Sequence, residues 1–170
     1  MIVLGIDPGL LNPAFVILDK NLDIVSSCVF HTKLYGEARK QEIYNKFKSI
    51  LTDHTIDLVV IEGYSYMSTR NMKTLLEQAE LTGMMKAYIF KQKYKLIIVP
   101  PSRWKKYALG KGNVKKPMIP QQVYKIYKKE FKSPDEVDAF CIATVGVGYL
   151  GKLDLKEYQI ETIKQIVLAE

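Results

Sequence analysis

The chain has 170 residues, of which 48% are hydrophobic and 25% are charged, the balance of an ordinary globular protein rather than a disordered or fibrous one. No apolar run reaches the roughly 20 residues that span a bilayer, and the first residues lack the basic and cleavage regions of a signal peptide. We therefore expect one domain over residues 1–170, located in the cytoplasm.

The two cysteines fit that compartment. Cys28 and Cys141 are far apart in sequence and match no metal-ligand spacing, so reduced, packed thiols are the favoured interpretation. A disulfide in a secreted protein stays open as the alternative.

The positive charge of the chain is concentrated in one segment. The net charge is +7, yet residues 86–132 contain thirteen lysines, Arg103 and a single acid, Glu130, so that the other residues sum to −6. Such an asymmetry favours a polyanionic partner held by one part of the molecule. A lysine-rich surface that only keeps the protein in solution explains the composition equally well.

The first part of the chain alternates strand and helix patterns. Residues 2–7 form a short apolar run that Pro8 and Gly9 end, which is typical of a buried strand stopped by a turn. Further strands are predicted over 14–18 and 24–31, a helix over about 36–53, and a strand over 57–62 that ends on an acid.

The second part begins with a long helix predicted over about 69–91, followed by a strand over 95–99. A short basic helix then begins near Ser102, and further helices are predicted over about 118–131, 135–149 and 154–168. Three strands followed by helix–strand units imply an α/β fold, with a five-stranded mixed sheet flanked by helices.

The long helix is more apolar than a surface helix needs to be. Its apolar positions, which include Met72, Leu75 and Leu76, cover more than a single stripe. Either the helix is buried on several sides, or part of it contacts a partner chain.

Two acids end predicted core strands, Asp7 and Glu62. An acid there is costly to bury without a partner, and functional sites gather at the carboxyl ends of strands in open α/β sheets. Each acid taken alone is also compatible with an ordinary turn residue.

A second pair of acids, Asp135 and Asp138, lies at the start of the predicted helix 135–149. Acids in a first turn are favoured by the helix dipole, which explains Asp135 without any function. Asp138 is three residues further on and shares its face, whereas Glu136 points elsewhere. Two carboxylates on one face repel each other unless cations lie between them.

Four converging carboxylates without a histidine or cysteine cluster suit hard divalent cations such as Mg²⁺ or Mn²⁺. Two such ions can activate a water and stabilise the departing oxygen in phosphodiester hydrolysis. His31 and His54 have no evident serine or cysteine partner, and the loop 110–112 is not a phosphate loop of the GxxxxGK[ST] type.

Together the motifs resemble the RuvC family of Holliday-junction resolvases, within the RNase H-like superfamily. The resemblance covers roughly residues 1–150 and includes Gly5-Ile6-Asp7-Pro8-Gly9, Ile61-Glu62 with the long helix after it, and Asp135-Glu136-Val137-Asp138-Ala139. The stretch 100–102 with the loop 110–113 is closer to the phage and less characterised bacterial branch of the family.

The resemblance implies an RNase H-like fold, a metal site of Asp7, Glu62, Asp135 and Asp138, and a homodimer in which the helix 69–91 joins the two chains. It also implies DNA contacts from Lys105 and Lys116, whose spacing around Gly110 and Gly112 matches the family. The basic segment adds Arg103, Lys106, Lys111 and Lys115 as further candidates for phosphate contacts. The family has an aromatic wedge three residues after its second acid. Ser65 occupies that position here, so Tyr64 or Tyr66 either takes the stacking role or is a half-buried loop residue.

The expected function is hydrolysis of four-way DNA junctions in a bacterial or phage-infected cell, by paired nicks with two Mg²⁺ ions in each site. One alternative is a nuclease of the same fold that cuts flaps, other branched DNA or RNA–DNA hybrids. A second alternative is a junction-binding protein without catalysis, against which the retention of all four acids argues.

Overall fold

The computed structural model describes residues 1–64, 72–151 and 153–169. Its strands are Ile2–Asp7 (β1), Ala14–Asp19 (β2), Ile24–Val29 (β3), Leu58–Glu62 (β4) and Leu96–Val99 (β5). Its helices are Gly36–Asp53 (α1), Met72–Lys91 (α2), Pro101–Leu109 (α3), Ile119–Tyr127 (α4), Pro134–Tyr149 (α5) and Glu157–Lys164 (α6), with a 3-10 turn over Lys116–Met118.

The strands form one mixed sheet in the order β3-β2-β1-β4-β5. β1 pairs antiparallel with β2, and β2 with β3, whereas β1, β4 and β5 run parallel to one another. The predicted α/β fold with a five-stranded mixed sheet and flanking helices is therefore confirmed. The carboxyl ends of the three parallel strands meet at one edge of the sheet, which is where ligands bind in folds of this type.

Helices cover both faces of the sheet. Alternate residues of each strand point to opposite faces, and the buried side chains accordingly divide into two clusters, one with α3, α4 and α5 and the other with α1 and α2. Of the described helices, none is long and apolar enough to cross a membrane.

Gly5 lets α5 lie directly on the centre of the sheet. A Cβ at this position would be 2.4 Å from the carbonyl oxygen of Ala139 and 2.5 Å from the backbone nitrogen of Ala143. Only a residue without a side chain tolerates such an approach of two backbones. The glycine of the first motif therefore determines how close the first turns of α5 come to the end of β1.

Two predicted helices are shorter than expected. The helix predicted over 118–131 ends at Tyr127, because Lys128 adopts a left-handed conformation with φ of 56° that caps the last turn. The helix predicted over 154–168 spans only Glu157–Lys164. The chain then extends along the edge strand β5, where the backbone nitrogen of Ala169 donates to the carbonyl of Leu96 at 2.8 Å.

Two other helices differ from the prediction at their starts. The basic helix begins at Pro101, one residue before the predicted cap at Ser102, because proline is well suited to the first helical position. The long helix predicted from residue 69 is described from Met72 onward, and residues 65–71 lie outside the described part.

Candidate active site

Asp7 and Glu62 end neighbouring parallel strands. The register pairs Ile6 with Ile61, so the two acids are the next residues along each strand. Val3 and Val60 belong to the cluster on the α5 face, and strand alternation therefore directs Asp7 and Glu62 to that same face. Both side chains are half-buried.

α5 brings two more acids to this edge. Its N-cap is Ser133, whose hydroxyl accepts from the backbone nitrogen of Glu136 at 3.1 Å. Glu136 turns away from the strand ends and accepts a hydrogen bond from Ser27 at 2.6 Å. Asp138, which is 8% exposed, and Asp135 lie one helical turn apart on the face toward the strand ends.

The ammonium group of Lys116 lies between the two acids of α5. Its Nζ is 3.1 Å from Asp135 Oδ1 and 3.7 Å from Asp138 Oδ2. Burial by itself lowers the pKa of Lys116, but the hydrogen bond with Asp135 and the charges of Asp138 and Asp7 outweigh it, and the pKa is raised. Lys116 thus stays charged and supplies one positive charge to a group of acids.

That positive charge does not compensate the carboxylates. Burial raises the pKa of the Asp7 carboxyl well above its usual range, and the charges of Glu62, Asp138 and Asp135 raise it further. Burial also raises the pKa of Asp138 to about 6, against the attraction of Lys116. Both carboxyls would ionise more readily if further cations entered the pocket.

Three of the four acids line one cavity of about 240 Å³ at the carboxyl ends of β1 and β4. The lining residues are Asp7, Glu62, Gly63, Tyr64, Leu75, Gln78, Pro101, Trp104, Lys105, Lys116 and Asp138. Asp135 lies at an adjoining depression that shares Gln78 with the cavity. The structure thus brings Asp7, Glu62 and Asp138 to one cavity, with Asp135 at the depression beside it, although the four acids come from three separate elements.

The chemistry of these donors fits hard divalent cations, because carboxylate oxygens are the ligands that Mg²⁺ and Mn²⁺ prefer. In the described part of the chain, no three acidic, histidine or cysteine side chains converge as a ready-made metal shell. Lys116 lies between two of the acids instead.

Trp104 is a site residue that the sequence reasoning did not find. It lies on α3, is 1% exposed, and its indole Nε1 donates to Glu62 Oε1 at 2.8 Å. The available signal was a single tryptophan within a basic helix. That signal was insufficient, because a lone tryptophan also fits an ordinary core position.

The predicted DNA contacts divide into two groups on α3 and its following loop. Lys105 and Lys116 line the cavity. Arg103 and Lys106 do not, because they lie on the side of α3 that packs against α6. Arg103 Nη1 donates to the Gln165 carbonyl at 2.9 Å and Lys106 pairs with Glu161. The structure therefore does not bring these two residues to the pocket with the others.

Of the remaining candidates, two lysines lie on the loop after α3 and Tyr64 lies just after the end of β4. Lys111 and Lys115 are exposed on the loop after α3. Tyr64 is half-buried, because its hydroxyl donates to the Ala79 carbonyl of α2 at 3.2 Å and Lys86 lies 4.8 Å from the centre of its ring. Tyr64 also lines the cavity, so both the stacking role and the half-buried loop position stay open for it. Tyr66 lies outside the described residues.

The strand order, with acids at the ends of two parallel strands and on the helix that packs across them, defines the RNase H-like fold. A sequence profile described as "Crossover junction endodeoxyribonuclease RuvC" matches residues 3–146. The chain therefore belongs to the RuvC family, as the motifs indicated. The residues after 146, which include α6 and the tail along β5, lie outside this match.

Individual relatives and structures agree with that assignment. The "Crossover junction endodeoxyribonuclease RuvC" of Aliarcobacter butzleri is 29% identical over 150 residues, which cover 84% of this chain and 96% of the relative. The protein of the same name from a Sulfurovum species is 30% identical over 150 residues, with 84% and 92% covered. Thermus thermophilus RuvC in complex with a Holliday junction substrate has a similar fold, with a TM-score of 0.73 at 17% identity, covering 92% of this chain and 99% of that chain.

Proposed function

We propose that this chain is a structure-selective DNA endonuclease that resolves four-way junctions by paired symmetric nicks. The observation that carries the proposal is the half-buried pocket of Asp7, Glu62 and Asp138, with Asp135 one helical turn away. Relatives named crossover junction endodeoxyribonuclease support the reaction. Thermus thermophilus RuvC, which has a similar fold and is in complex with a Holliday junction substrate, supports the substrate class.

The four acids would hold two Mg²⁺ ions, and Mn²⁺ is expected to substitute, since both are hard cations. When bound, such ions activate a water and stabilise the departing oxygen of a phosphodiester. The contribution of the protein is to hold a dense group of carboxylates in a cavity open to DNA. Burial raises the pKa values of Asp7 and Asp138, and the charges of neighbouring carboxylates raise them further, so bound cations would favour the ionised forms of both.

The two lysines of the pocket have a separate task. Lys105 and Lys116 line the same cavity as the acids, so a DNA phosphate that entered it would meet both ammonium groups. They would orient the scissile phosphate rather than read bases. Lys111 and Lys115 on the exposed loop would add backbone contacts, so binding should weaken steeply with salt. This chemistry takes place where cellular DNA is found, in the bacterial or phage-infected cytoplasm.

A homodimer through α2 would present two such sites to the two sides of a junction. The outward face of α2 carries Met72, Leu76 and Phe90, which are 67%, 57% and 43% exposed. Gly83 lies on the same exposed face, and a Cβ there would contact no described atom within 4 Å. Glycine inside a helix costs about 0.5–1 kcal/mol relative to alanine, and the close approach of a second α2 supplies a reason for it.

The dimer can be tested apart from catalysis. Wild-type protein is expected to be a dimer in light scattering at micromolar concentration, and Leu76→Glu a monomer, because a charge would be buried in the apolar contact. Val167→Glu is the matched control, since Val167 is an apolar residue that is 77% exposed on the tail. A wild-type monomer, or a dimer that Leu76→Glu leaves intact, would contradict this part of the proposal.

The reaction itself is tested by mapping nicks on an immobile four-way junction with Mg²⁺ and with Mn²⁺. We expect symmetric nicks on opposing strands, leaving 5′-phosphate and 3′-hydroxyl ends. Asp7→Asn should abolish cutting while it leaves junction binding largely intact. Flap, duplex and RNA–DNA hybrid substrates serve as comparisons. Faster cutting of any of these would favour a different nuclease of the same fold, and binding without any cutting would favour a non-catalytic protein.

A further inference from the structure

We propose that Trp104 is a positioning residue, whose indole N–H holds the Glu62 carboxylate in the orientation that the metal site requires. The inference rests on the proposed function, because it assigns to Glu62 the role of a metal ligand. It concerns a residue that the acidic motifs do not include, on the helix α3, which precedes Asp135 and Asp138 in the chain.

The contact has the geometry of a well-formed hydrogen bond. The Nε1 to Oε1 distance is 2.8 Å, within the range of about 2.7–3.2 Å that N–H···O hydrogen bonds occupy. Trp104 is 1% exposed and belongs to the core cluster on the α5 face. The indole is therefore fixed by packing, and its N–H direction is fixed with it.

A fixed donor matters because a glutamate side chain is flexible. Glu62 ends β4 and is half-buried in the lining of the pocket. Binding of a cation would then require ordering of the carboxylate, at a cost in conformational entropy. A donor already bonded to one oxygen removes part of that cost, because it fixes the orientation of the carboxylate before a cation binds.

The helix that carries Trp104 is itself held from the far side. Gln159 of α6 donates through Nε2 to the Tyr107 carbonyl at 3.3 Å, in addition to the contacts of Lys106 with Glu161 of α6 and of Arg103 with the Gln165 carbonyl. Lys105 lies over the indole ring at 5.4 Å from its centre. Trp104 is therefore placed between an anchored helix face and the acidic pocket, the arrangement that a positioning residue needs.

The competing interpretation is that Glu62 only satisfies a buried indole N–H. Buried tryptophans generally find such a partner, and both interpretations predict the same contact. They differ in the effect expected from removal of the N–H. Loss of a purely structural bond affects folding stability and leaves cation affinity unchanged, whereas loss of a positioning bond weakens cation affinity in protein that is fully folded.

Because the chain has only one tryptophan, the N–H can be removed at this site alone. Biosynthetic replacement of tryptophan by benzothienylalanine keeps the bicyclic ring and exchanges N–H for sulfur. Trp104→Phe is the genetic counterpart. The control is Tyr107→Phe on the same helix, which removes a buried hydroxyl that has no hydrogen-bond partner among the described residues. Asp7→Asn serves as the reference variant in which the proposed metal site is lost.

The measurement is binding of Mn²⁺ to full-length protein without DNA, followed by the electron paramagnetic resonance signal of the free ion. Circular dichroism in EDTA establishes that each protein is folded. We expect benzothienylalanine at position 104, and Trp104→Phe where it folds, to weaken Mn²⁺ binding by about 10–100-fold. Tyr107→Phe should bind as wild type does, and Asp7→Asn should lose the site.

The outcomes distinguish the role of Trp104 from the existence of the metal site. Wild-type Mn²⁺ affinity in the folded benzothienylalanine protein, together with loss in Asp7→Asn, overturns the role of Trp104 and leaves the proposed site standing. Unchanged Mn²⁺ binding in Asp7→Asn overturns the proposed metal site, and the role of Trp104 falls with it. An equal loss in Tyr107→Phe would show a general effect of altering α3 and would also overturn the inference.

Discussion

The two sides of α3 hold basic residues in opposite electrostatic settings. On the pocket side, Lys105 of α3 and Lys116 of the following 3-10 turn line a cavity together with three carboxylates, which outnumber them. On the other side, Lys106 Nζ lies 2.7 Å from Glu161 Oε2, so that one positive charge is balanced by one negative charge. The hydrogen bond from Lys106 lowers the pKa of Glu161, whereas burial raises the pKa of Asp138 to about 6.

This comparison separates charges that are balanced by a partner within the fold, such as those of Lys106 and Glu161, from the unbalanced charges of the pocket. Where an acid and a base only stabilise the fold, they are balanced within the protein and exposed to solvent. Where the protein is expected to bind cations and DNA, negative charge is accumulated at a cost to the folded state, and ligands are needed to relieve it. Functional sites are often the places where a protein gives up stability in this way.

The largest expected effect comes from a matched pair of acid-to-amide changes. Glu62→Gln should lower the rate of junction cleavage by roughly 10²–10³-fold or more, because it removes a proposed metal ligand and several kcal/mol of transition-state stabilisation. Glu161→Gln should leave the rate unchanged. Single-turnover cleavage of a four-way junction measures both rates. Equal rates for Glu62→Gln and Glu161→Gln would mean that the acid in the pocket contributes no more to cleavage than the acid of α6.

The pocket acids should also destabilise the metal-free fold. Burial raises the pKa of Asp138 from its usual 3.8 to about 6, so between these values the folded state binds more protons than the unfolded state. Its contribution to stability therefore falls as the pH rises through this window. In EDTA at pH 7, Asp138→Asn should be more stable than wild type by on the order of 1–2 kcal/mol.

Urea unfolding at pH 4.5 and pH 7 tests whether Asp138→Asn has a higher free energy of unfolding than the wild type. The advantage of Asp138→Asn should shrink at the lower pH, where the wild-type carboxyl is already protonated. Glu161→Gln should have the opposite sign at pH 7, since the ionised form of Glu161 is the one that its partner stabilises. A destabilised Asp138→Asn protein at pH 7 would mean that Lys116 compensates the acid fully.

The lysines of α3 should differ in DNA binding. Lys105→Ala should weaken junction binding by roughly 3–10-fold and reduce the slope of log affinity against log salt by about one, because one phosphate contact is lost. Lys106→Ala should change neither quantity, since its charge is directed toward α6. Fluorescence anisotropy with a labelled junction at several salt concentrations measures both quantities. Equal losses of affinity in Lys105→Ala and Lys106→Ala would mean that Lys106 also contacts DNA.

The smallest effect belongs to the α6 side. Arg103→Ala should lower the free energy of unfolding by roughly 0.5–1.5 kcal/mol, because it removes the hydrogen bond to the Gln165 carbonyl. Metal-dependent cleavage should be affected only if α3 shifts. Urea unfolding gives the energy, and Arg103→Lys is the control that keeps the charge without the planar guanidinium. A strong loss of junction binding in both variants would place Arg103 in contact with DNA.

Much of this site was predictable from local sequence. Asp7 and Glu62 follow apolar runs long enough for buried strands, and their position at the strand ends required no knowledge of partners. The spacing of Asp135 and Asp138 identified their common helix face. The same reasoning could not assign Arg103, Lys105 and Lys106, because adjacent positions on a helix differ by about 100° in direction and the rotation of α3 depends on what packs against it.

The tail shows a similar limit. Its pattern predicted a helix to residue 168, whereas the chain leaves the helix after Lys164 and pairs with the edge of β5. An edge strand offers unpaired backbone groups to any segment that reaches it. The residues after Lys164 contain no sequence pattern that indicates how close the chain comes to the edge of β5.

The sequence by itself determined the order of the elements, the acids that end the strands and the excess of positive charge between residues 86 and 132. Only the tertiary structure decided that these acids share one pocket, that Lys105 faces them while Lys106 does not, and that Trp104 bonds to Glu62. The reason is physical. Periodicity and turn residues are local properties, whereas strand register, helix rotation and the close approach at Gly5 result from packing between residues far apart in the chain.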